Sequence, residues 1–305
     1  MLYYIHMWWI WMSVGAYFCN ALVSVVDKTL LTVRHIPNPA LYAFYTGILS
    51  VGVLGLAPFG MVALPVLVMA DALLGGILFL ASLYFFYKAV YEWEISRVAP
   101  IVGAFSAITT LLLSVIFFGH DFDTGQLVAF ALLVVALVIL SAEHVGRVVI
   151  RWRIIGLSVL SAVLLGAVFV FSKEVFIQAP FITGFVWLRM GSVVAALAML
   201  IVPSMRRYIG AAHAKVKSKS LWWVVANKVV GALGFVLLNI AIAYGSVAIV
   251  NALKASEYAF VFLFVILLGM MAPRLLKEKM TRGVVVQKVI GVIVMAAGIA
   301  SLYLL

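Results

Sequence analysis

Residues 124–175, "TGQLVAFALLVVALVILSAEHVGRVVIRWRIIGLSVLSAVLLGAVFVFSKEV", decide the fold. The first apolar run, 124–142, carries no charge, and the second, 154–175, carries only Lys173 and Glu174 near its far end. Arg147, Arg151 and Arg153 lie between them. A helix rising 1.5 Å per residue needs roughly 20 apolar residues to cross the hydrocarbon core. The stretch therefore reads as two membrane spans joined by a short basic loop.

The rest of the chain follows the same pattern. Of its 305 residues 67% are hydrophobic and 10% charged, and the mean hydropathy is +1.25. Soluble domains carry about 25% charged residues, so the chain is read as an all-α integral membrane protein. Ten spans are expected, at 8–33, 40–58, 71–91, 97–118, 124–142, 154–175, 181–203, 221–244, 247–271 and 284–304. Proline and glycine punctuate several ends, as in "IPNPA", "APFG", "QAP" and "MAP". The start, "MLYYIHMWWIWMSVG", lacks a basic leader and reads as an interfacial aromatic belt heading a retained helix.

Fourteen of the 21 Lys and Arg residues fall in loops or at span edges. All fourteen follow odd-numbered spans: Arg34, Arg97, Arg147, Arg151, Arg153, Arg206, Arg207, Lys215, Lys217, Lys219, Arg274, Lys277, Lys279 and Arg282. Basic loops stay cytoplasmic, so both termini are expected outside a cell membrane (plasma or inner). The net charge of +11 thus marks orientation and anionic-lipid contact, and nucleic acid is not an expected partner. Cys19 is the only cysteine, which excludes an intrachain disulfide and a multi-cysteine metal site. His6, His35, His120, His144 and His213 are scattered, and no metalloprotease or nucleophile-elbow motif appears. Neither metal nor cofactor is expected, and an intramembrane enzyme is the least favoured class.

The charge count also suggests duplication. The loop after span two has no basic residue, whereas its counterpart after span seven has five. Two five-span halves, 1–145 and 146–305, would then insert upside down relative to each other. "VVDKTLL" (25–31) echoes "VFSKEVF" (170–176), setting Lys28 opposite Lys173. "KAVYEWEISRVAPI" (88–101) matches "IAIAYGSVAIVNAL" (240–253) in position. Inverted repeats are an architecture of alternating-access transporters, with the substrate near the midplane.

The run from Tyr87 to Ser141 resembles the second part of an EamA-type repeat of the drug/metabolite transporter superfamily, with Ser96, Pro100, Ser114, Gly119 and Thr124 at the motif positions. The second half follows the pattern more loosely, so the resemblance extends over 8–304. It implies ten helices in two inverted five-helix repeats, a central cavity and secondary transport of a small metabolite, with export as the direction. The family's Gly-Glu loop reads "GHDFD" here, and the first span has Asp27 near its cytoplasmic end instead of a central glutamate. That departure argues against a pump for cationic drugs.

Charges inside the spans point to the site. A charge near the bilayer centre costs roughly 2.5–3.5 kcal/mol on insertion scales, so it has a partner or a job. Lys28, Lys88, Lys173 and Lys288 lie near span ends, where snorkelling or structural pairing accounts for them. Lys254, Glu257 and Arg189 lie deeper, about 10, 15 and 12 Å below the outer ends of their spans at 1.5 Å per residue. Lys228 approaches from the cytoplasmic side. Lys254 and Glu257, three apart, are placed to pair on one helix. Alternatively Asn251, Lys254 and Tyr258 form one polar stripe facing the cavity, with Arg189 and Lys228 adding positive charge and Glu257 holding Lys254 or carrying a coupling proton. Three deep bases against one deep acid favour a small anionic or zwitterionic substrate. A flippase for an anionic lipid-linked substrate is the alternative. Asn227, Asn239, Ser106, Thr109, Thr110 and Ser114 are softer candidates, while Gly75-Gly76 and Gly231/Gly234 read as close-packing sites.

Overall fold

The computed structural model describes residues 8–32, 38–92, 95–119, 122–141, 152–213, 218–271 and 282–304. Every described element is helical. Lipid offers no partner for backbone N–H and C=O groups, and a helix satisfies them within its own segment. The helices are α1 (Trp8–Thr32), α2 (Pro39–Leu49), α3 (Val66–Glu92), α4 (Ile95–Phe118), α5 (Thr124–Ser141), α6 (Trp152–Gln178), α7 (Phe181–Ile201), α8 (Pro203–His213), α9 (Ser218–Tyr244), α10 (Val247–Ala252), α11 (Ala255–Met271) and α12 (Arg282–Leu304). Among the described residues, eight segments are long and apolar enough to cross a membrane. Two shorter apolar stretches, Thr124–Leu140 and Val285–Ser301, stand beside them. The protein is thus an all-α chain with the character of a multi-pass membrane protein. The bases at 34, 147, 151, 215, 217, 274, 277 and 279 lie outside the described residues, as do the side chains of Asp27, Lys28, Ser96, Arg97 and Pro100.

Three local features depart from the expected spans. The second span is helical in two ways, because α2 passes at Ser50 into a 3₁₀ helix, Ser50–Phe59. The tighter winding rises about 2.0 Å per residue, so ten residues reach about 20 Å where an α-helix reaches about 15 Å. It ends at Gly60, whose φ of 133° suits glycine alone. The ninth span is not continuous: α10 stops at Ala252 and α11 starts at Ala255, with Leu253 and Lys254 in a turn. The loop after span seven contains α8, an amphipathic helix with Pro203 at its first position.

Small residues let the helices meet. Ser82 of α3 and Ser161 of α6 each donate to the other's backbone carbonyl, at 2.8 and 2.9 Å. A Cβ on Gly76 of α3 would overlap the Leu188 carbonyl and come within 2.7 Å of Ser192 N on α7. Gly234 of α9 sits similarly against Cys19 and Asn20 of α1. Large apolar side chains such as Ile116, Ile201 and Ile293 point outward. This arrangement suits a bilayer, where close van der Waals packing rather than exclusion from water joins helices.

The contacts also fix helix direction. Trp9 meets Gly245 while Val23 meets Gly231, so α1 and α9 are antiparallel. Leu133 meets Gly298 and Leu140 meets Gly291, so α5 and α12 are antiparallel. Leu73 faces Gly191 and Leu80 lies with Ala196, so α3 and α7 run parallel. The most extensive pairings are α3 with α6, α1 with α9, α5 with α12, α4 with α6 and α3 with α7.

Candidate functional site

Arg189 lines a small cavity between α3, α6, α7 and α9. Its guanidinium carbon lies 3.2 Å from the ring centre of Phe235, 4.8 Å from Phe79 and 5.8 Å from Phe185. Phe185 precedes Arg189 by one helical turn, and the other rings come from α9 and α3. Guanidinium is more weakly hydrated than ammonium and stacks on aromatic faces, so three rings offset part of its desolvation. Among the described residues no carboxylate pairs with it, and its guanidinium makes no hydrogen bond. The cavity is also lined by Ser172 and Asn239, both buried. Asn239 spends its amide N–H on the Phe235 carbonyl at 2.9 Å, which leaves its Oδ1 without a described partner. Ser172 has no hydrogen bond among the described residues. A cation, a hydroxyl and an amide oxygen thus line one small, largely apolar cavity.

The expected stripe of Asn251, Lys254 and Tyr258 spans the α10–α11 discontinuity. The amide N–H of Lys254 bonds the Asn251 carbonyl at 3.1 Å, a three-residue step instead of the helical four. The Val250 carbonyl, which loses that donor, accepts from the Tyr17 hydroxyl at 2.9 Å. Asn251 is buried, and its amide is taken up by α4. Its Nδ2 donates to Thr110 Oγ1 at 2.7 Å, and its Oδ1 accepts from Ser106 Oγ at 3.5 Å. Tyr258 packs near Ala136, Leu137 and Leu140 of α5. The Lys254–Glu257 ion pair is not formed. Glu257 lies in the first turn of α11 and accepts from Ser24 Oγ of α1 at 3.0 Å, while among the described residues Lys254 Nζ has neither ion-pair nor hydrogen-bond partner. Glu257 is thus engaged by α1 and the Asn251 amide by α4, and neither is turned to Lys254.

The remaining lysines divide by location. Lys228 lies over the Tyr42 ring of α2, 4.2 Å from its centre, and does not line the Arg189 cavity. Among the described residues α7 has no extensive packing against α10 or α11, and Lys254 does not line the Arg189 cavity. Lys173 Nζ donates to the carbonyls of Ala243 and Gly245 at 3.0 and 3.1 Å, placing its charge at the negative end of α9. Lys288 bonds the Leu140 carbonyl in the last turn of α5. Lys88 lies 5.9 Å from the Tyr84 ring centre, and Glu92, four residues on, is 3.5 Å from Arg153. Among the described residues no group of His, Cys, Asp and Glu side chains is arranged to hold a metal.

Sequence reading named Arg189 and Asn239 but missed Phe79, Phe185, Phe235 and Ser172. The Phe185–Arg189 spacing of one turn was legible. The other contributors lie on separate helices, and no sequence spacing links them.

No protein-family model matches the chain, and no curated protein does. Solved structures do: 28 chains match. One, described only as a crystal structure of a protein, superposes with a TM-score of 0.69 at 14% identity, covering 97% of this chain and 96% of that one. The two share a fold over essentially their whole lengths.

Proposed function

We propose that the protein is a secondary transporter of a small anionic or zwitterionic metabolite, working by alternating access around the Arg189 cavity, with export as its direction. The observation that carries this is Arg189 itself, a deep cation that no described carboxylate neutralises, lining a cavity between four helices. Ionisable groups at membrane depth are expensive and mark substrate or ion pathways by default. A carboxylate or phosphate entering the cavity would supply the missing charge and the bidentate partner that a planar guanidinium prefers.

Helix pairing supports a duplicated architecture of ten spans in two inverted five-span units, 1–145 and 146–305. Set α1 against α6, α2 against α7, α3 against α9, α4 against α10–α11 and α5 against α12. Exchanging the halves turns the α3–α6 pair into α9–α1 and the α4–α6 pair into α11–α1, and all four occur. The α5–α12 and α2–α7 pairs map onto themselves and occur as well. An odd number of spans per unit inverts the second unit, which agrees with the charge bias and with a cytoplasmic basic face. The broken span α10–α11 adds support, because discontinuous helices commonly border transporter sites.

In this reading Arg189 neutralises the substrate, Ser172 and Asn239 orient it, and the three phenylalanines border its apolar part. Lys254 is the second candidate cation, and Glu257 the candidate for coupling. The test is ligand-induced thermal stabilisation of the purified protein against carboxylates, phosphates and organic cations, beside Arg189→Gln and Lys254→Ala. A ligand that binds only the folded state raises its apparent stability with concentration. Stabilisation by an anion that vanishes in Arg189→Gln and persists in Lys254→Ala supports this site. Loss only in Lys254→Ala moves it to the helix break, and stabilisation only by organic cations overturns the proposal.

A further inference from the structure

Helix α8 has two unlike faces. Ile209 and Ala212 are buried against Ala40, Leu41 and Tyr42 of α2, with Met199 and Leu200 of α7 packed alongside. Its last residue, His213, is tied to α2 by a 2.5 Å hydrogen bond between Nδ1 and the Tyr45 hydroxyl. The rest of its surface is open: Arg207 opposite the docked face and Arg206 and Tyr208 on its flanks are exposed, Tyr208 at 55%. Just before α8, Ile201 and Val202 are exposed at 80% and 48%. Exposed aliphatic residues at the end of a span, followed within about two helical turns by a pair of arginines and a tyrosine, reproduce the order of acyl chain, interface and headgroup.

Charge selects the occupant. Between Arg206 and Lys219 the sequence holds five basic residues and no acid. The two described arginines make no ion pair among the described residues, and Arg207 Nε reaches only the Pro203 carbonyl, at 3.4 Å. Arg153, another base at this end of the bundle, is by contrast paired with Glu92 at 3.5 Å. An amphipathic helix with unneutralised arginines on its free face is drawn to anionic lipid.

We infer that α8 is an interfacial helix whose free face binds anionic phospholipid headgroups through Arg206 and Arg207. Its apolar face stays docked on α2 and α7, so the bound lipid is held against the ends of two helices that belong to opposite halves of the chain. This inference rests on the fold and the charge of α8. It is independent of what the Arg189 cavity carries.

The experiment is a lipid titration of the detergent-purified full chain by native mass spectrometry, with phosphatidylglycerol against phosphatidylcholine. Each basic residue near an anionic surface contributes about 1 kcal/mol, equivalent to about fivefold in affinity. Arg206→Gln with Arg207→Gln is therefore expected to weaken phosphatidylglycerol binding by about thirtyfold while leaving phosphatidylcholine unchanged. Added salt should weaken the wild-type interaction. Both arginines are exposed and away from the docked face, and an unchanged thermal midpoint confirms that the variant folds. Equal binding of the two lipids overturns the inference. So does an equal loss in Arg153→Gln, which would assign the effect to the overall charge of this end. Competition by inorganic phosphate at millimolar concentration would identify a free-anion site instead and would also overturn it.

Discussion

The hydroxyl of Tyr17 on α1 donates to the backbone carbonyl of Val250 on α10, at 2.9 Å, across 233 residues of chain. That carbonyl is available because the amide of Lys254 has turned to Asn251. One side chain of the first half thus occupies the backbone group freed where the broken span of the second half is interrupted. Tyr17 is buried to 1% exposure, so no water can take its place. Tyr17→Phe should therefore strand the carbonyl and cost about 1–2 kcal/mol, the penalty for an unsatisfied buried acceptor. A lowered thermal midpoint with retained expression is the expected outcome. An unchanged midpoint would mean that the carbonyl has found another donor.

Lys173 and Lys254 make a paired prediction. Lys173 caps two carbonyls at the end of α9, and Lys173→Met should destabilise the protein by about 1–2 kcal/mol, since hydrogen bonds to charged groups contribute more than neutral ones. Lys254→Met removes no described hydrogen bond or ion pair and should leave stability within about 0.5 kcal/mol. Parallel thermal unfolding of the two variants checks this, and equal destabilisation would refute the division.

Gly76 is where α3 and α7 come closest. Gly76→Ala drives a methyl group into the Leu188 carbonyl and the backbone at Gly191 and Ser192, none of which is the free end of a side chain. The expected cost is about 3 kcal/mol, at the upper end for overpacking, with loss of monodisperse protein on size exclusion. Gly52→Ala is the control, because nothing lies within 4 Å of its added methyl. It should behave as wild type.

The aromatic surround of Arg189 predicts that charge alone is not enough. Arg189→Lys keeps the cation but loses the planar face stacked on Phe235 and the fork that grips a carboxylate. Anion-induced stabilisation should fall at least tenfold in apparent affinity in Arg189→Lys, and more in Arg189→Gln. Equal behaviour of wild type and Arg189→Lys would show that the rings play no part.

Glu257 separates structure from coupling. Glu257→Gln retains an Oε1 acceptor for Ser24, so stability should change by less than about 1 kcal/mol. If the carboxylate carries a coupling proton, substrate flux in proteoliposomes should lose its response to an imposed pH gradient in this variant. A gradient response equal to that of wild type would remove Glu257 from coupling.

Much of the architecture was legible in the sequence, because a bilayer imposes a one-dimensional rule. A segment that crosses lipid must be apolar for roughly 20 residues, and bases collect between segments, so apolar runs and charge counts locate the spans without knowledge of their neighbours. Gly75-Gly76 could be read as a packing site for the same reason. The sequence also singled out Arg189, since a lone arginine in an apolar run is conspicuous wherever its helix packs.

Tertiary structure decided what each buried charge does. Lys173 and Lys254 look alike in sequence, each a lysine near a glutamate in an apolar run. One reaches carbonyls freed at the end of another helix, and the other lies on a turn with no described partner. No proline or glycine marks that turn; it persists because Tyr17, from the far end of the chain, satisfies the carbonyl it frees. The rings around the Arg189 guanidinium likewise come from three helices. Hydrogen bonds and ring contacts are short-ranged, so their partners are set by which helices pack together, and local spacing carries no record of that choice.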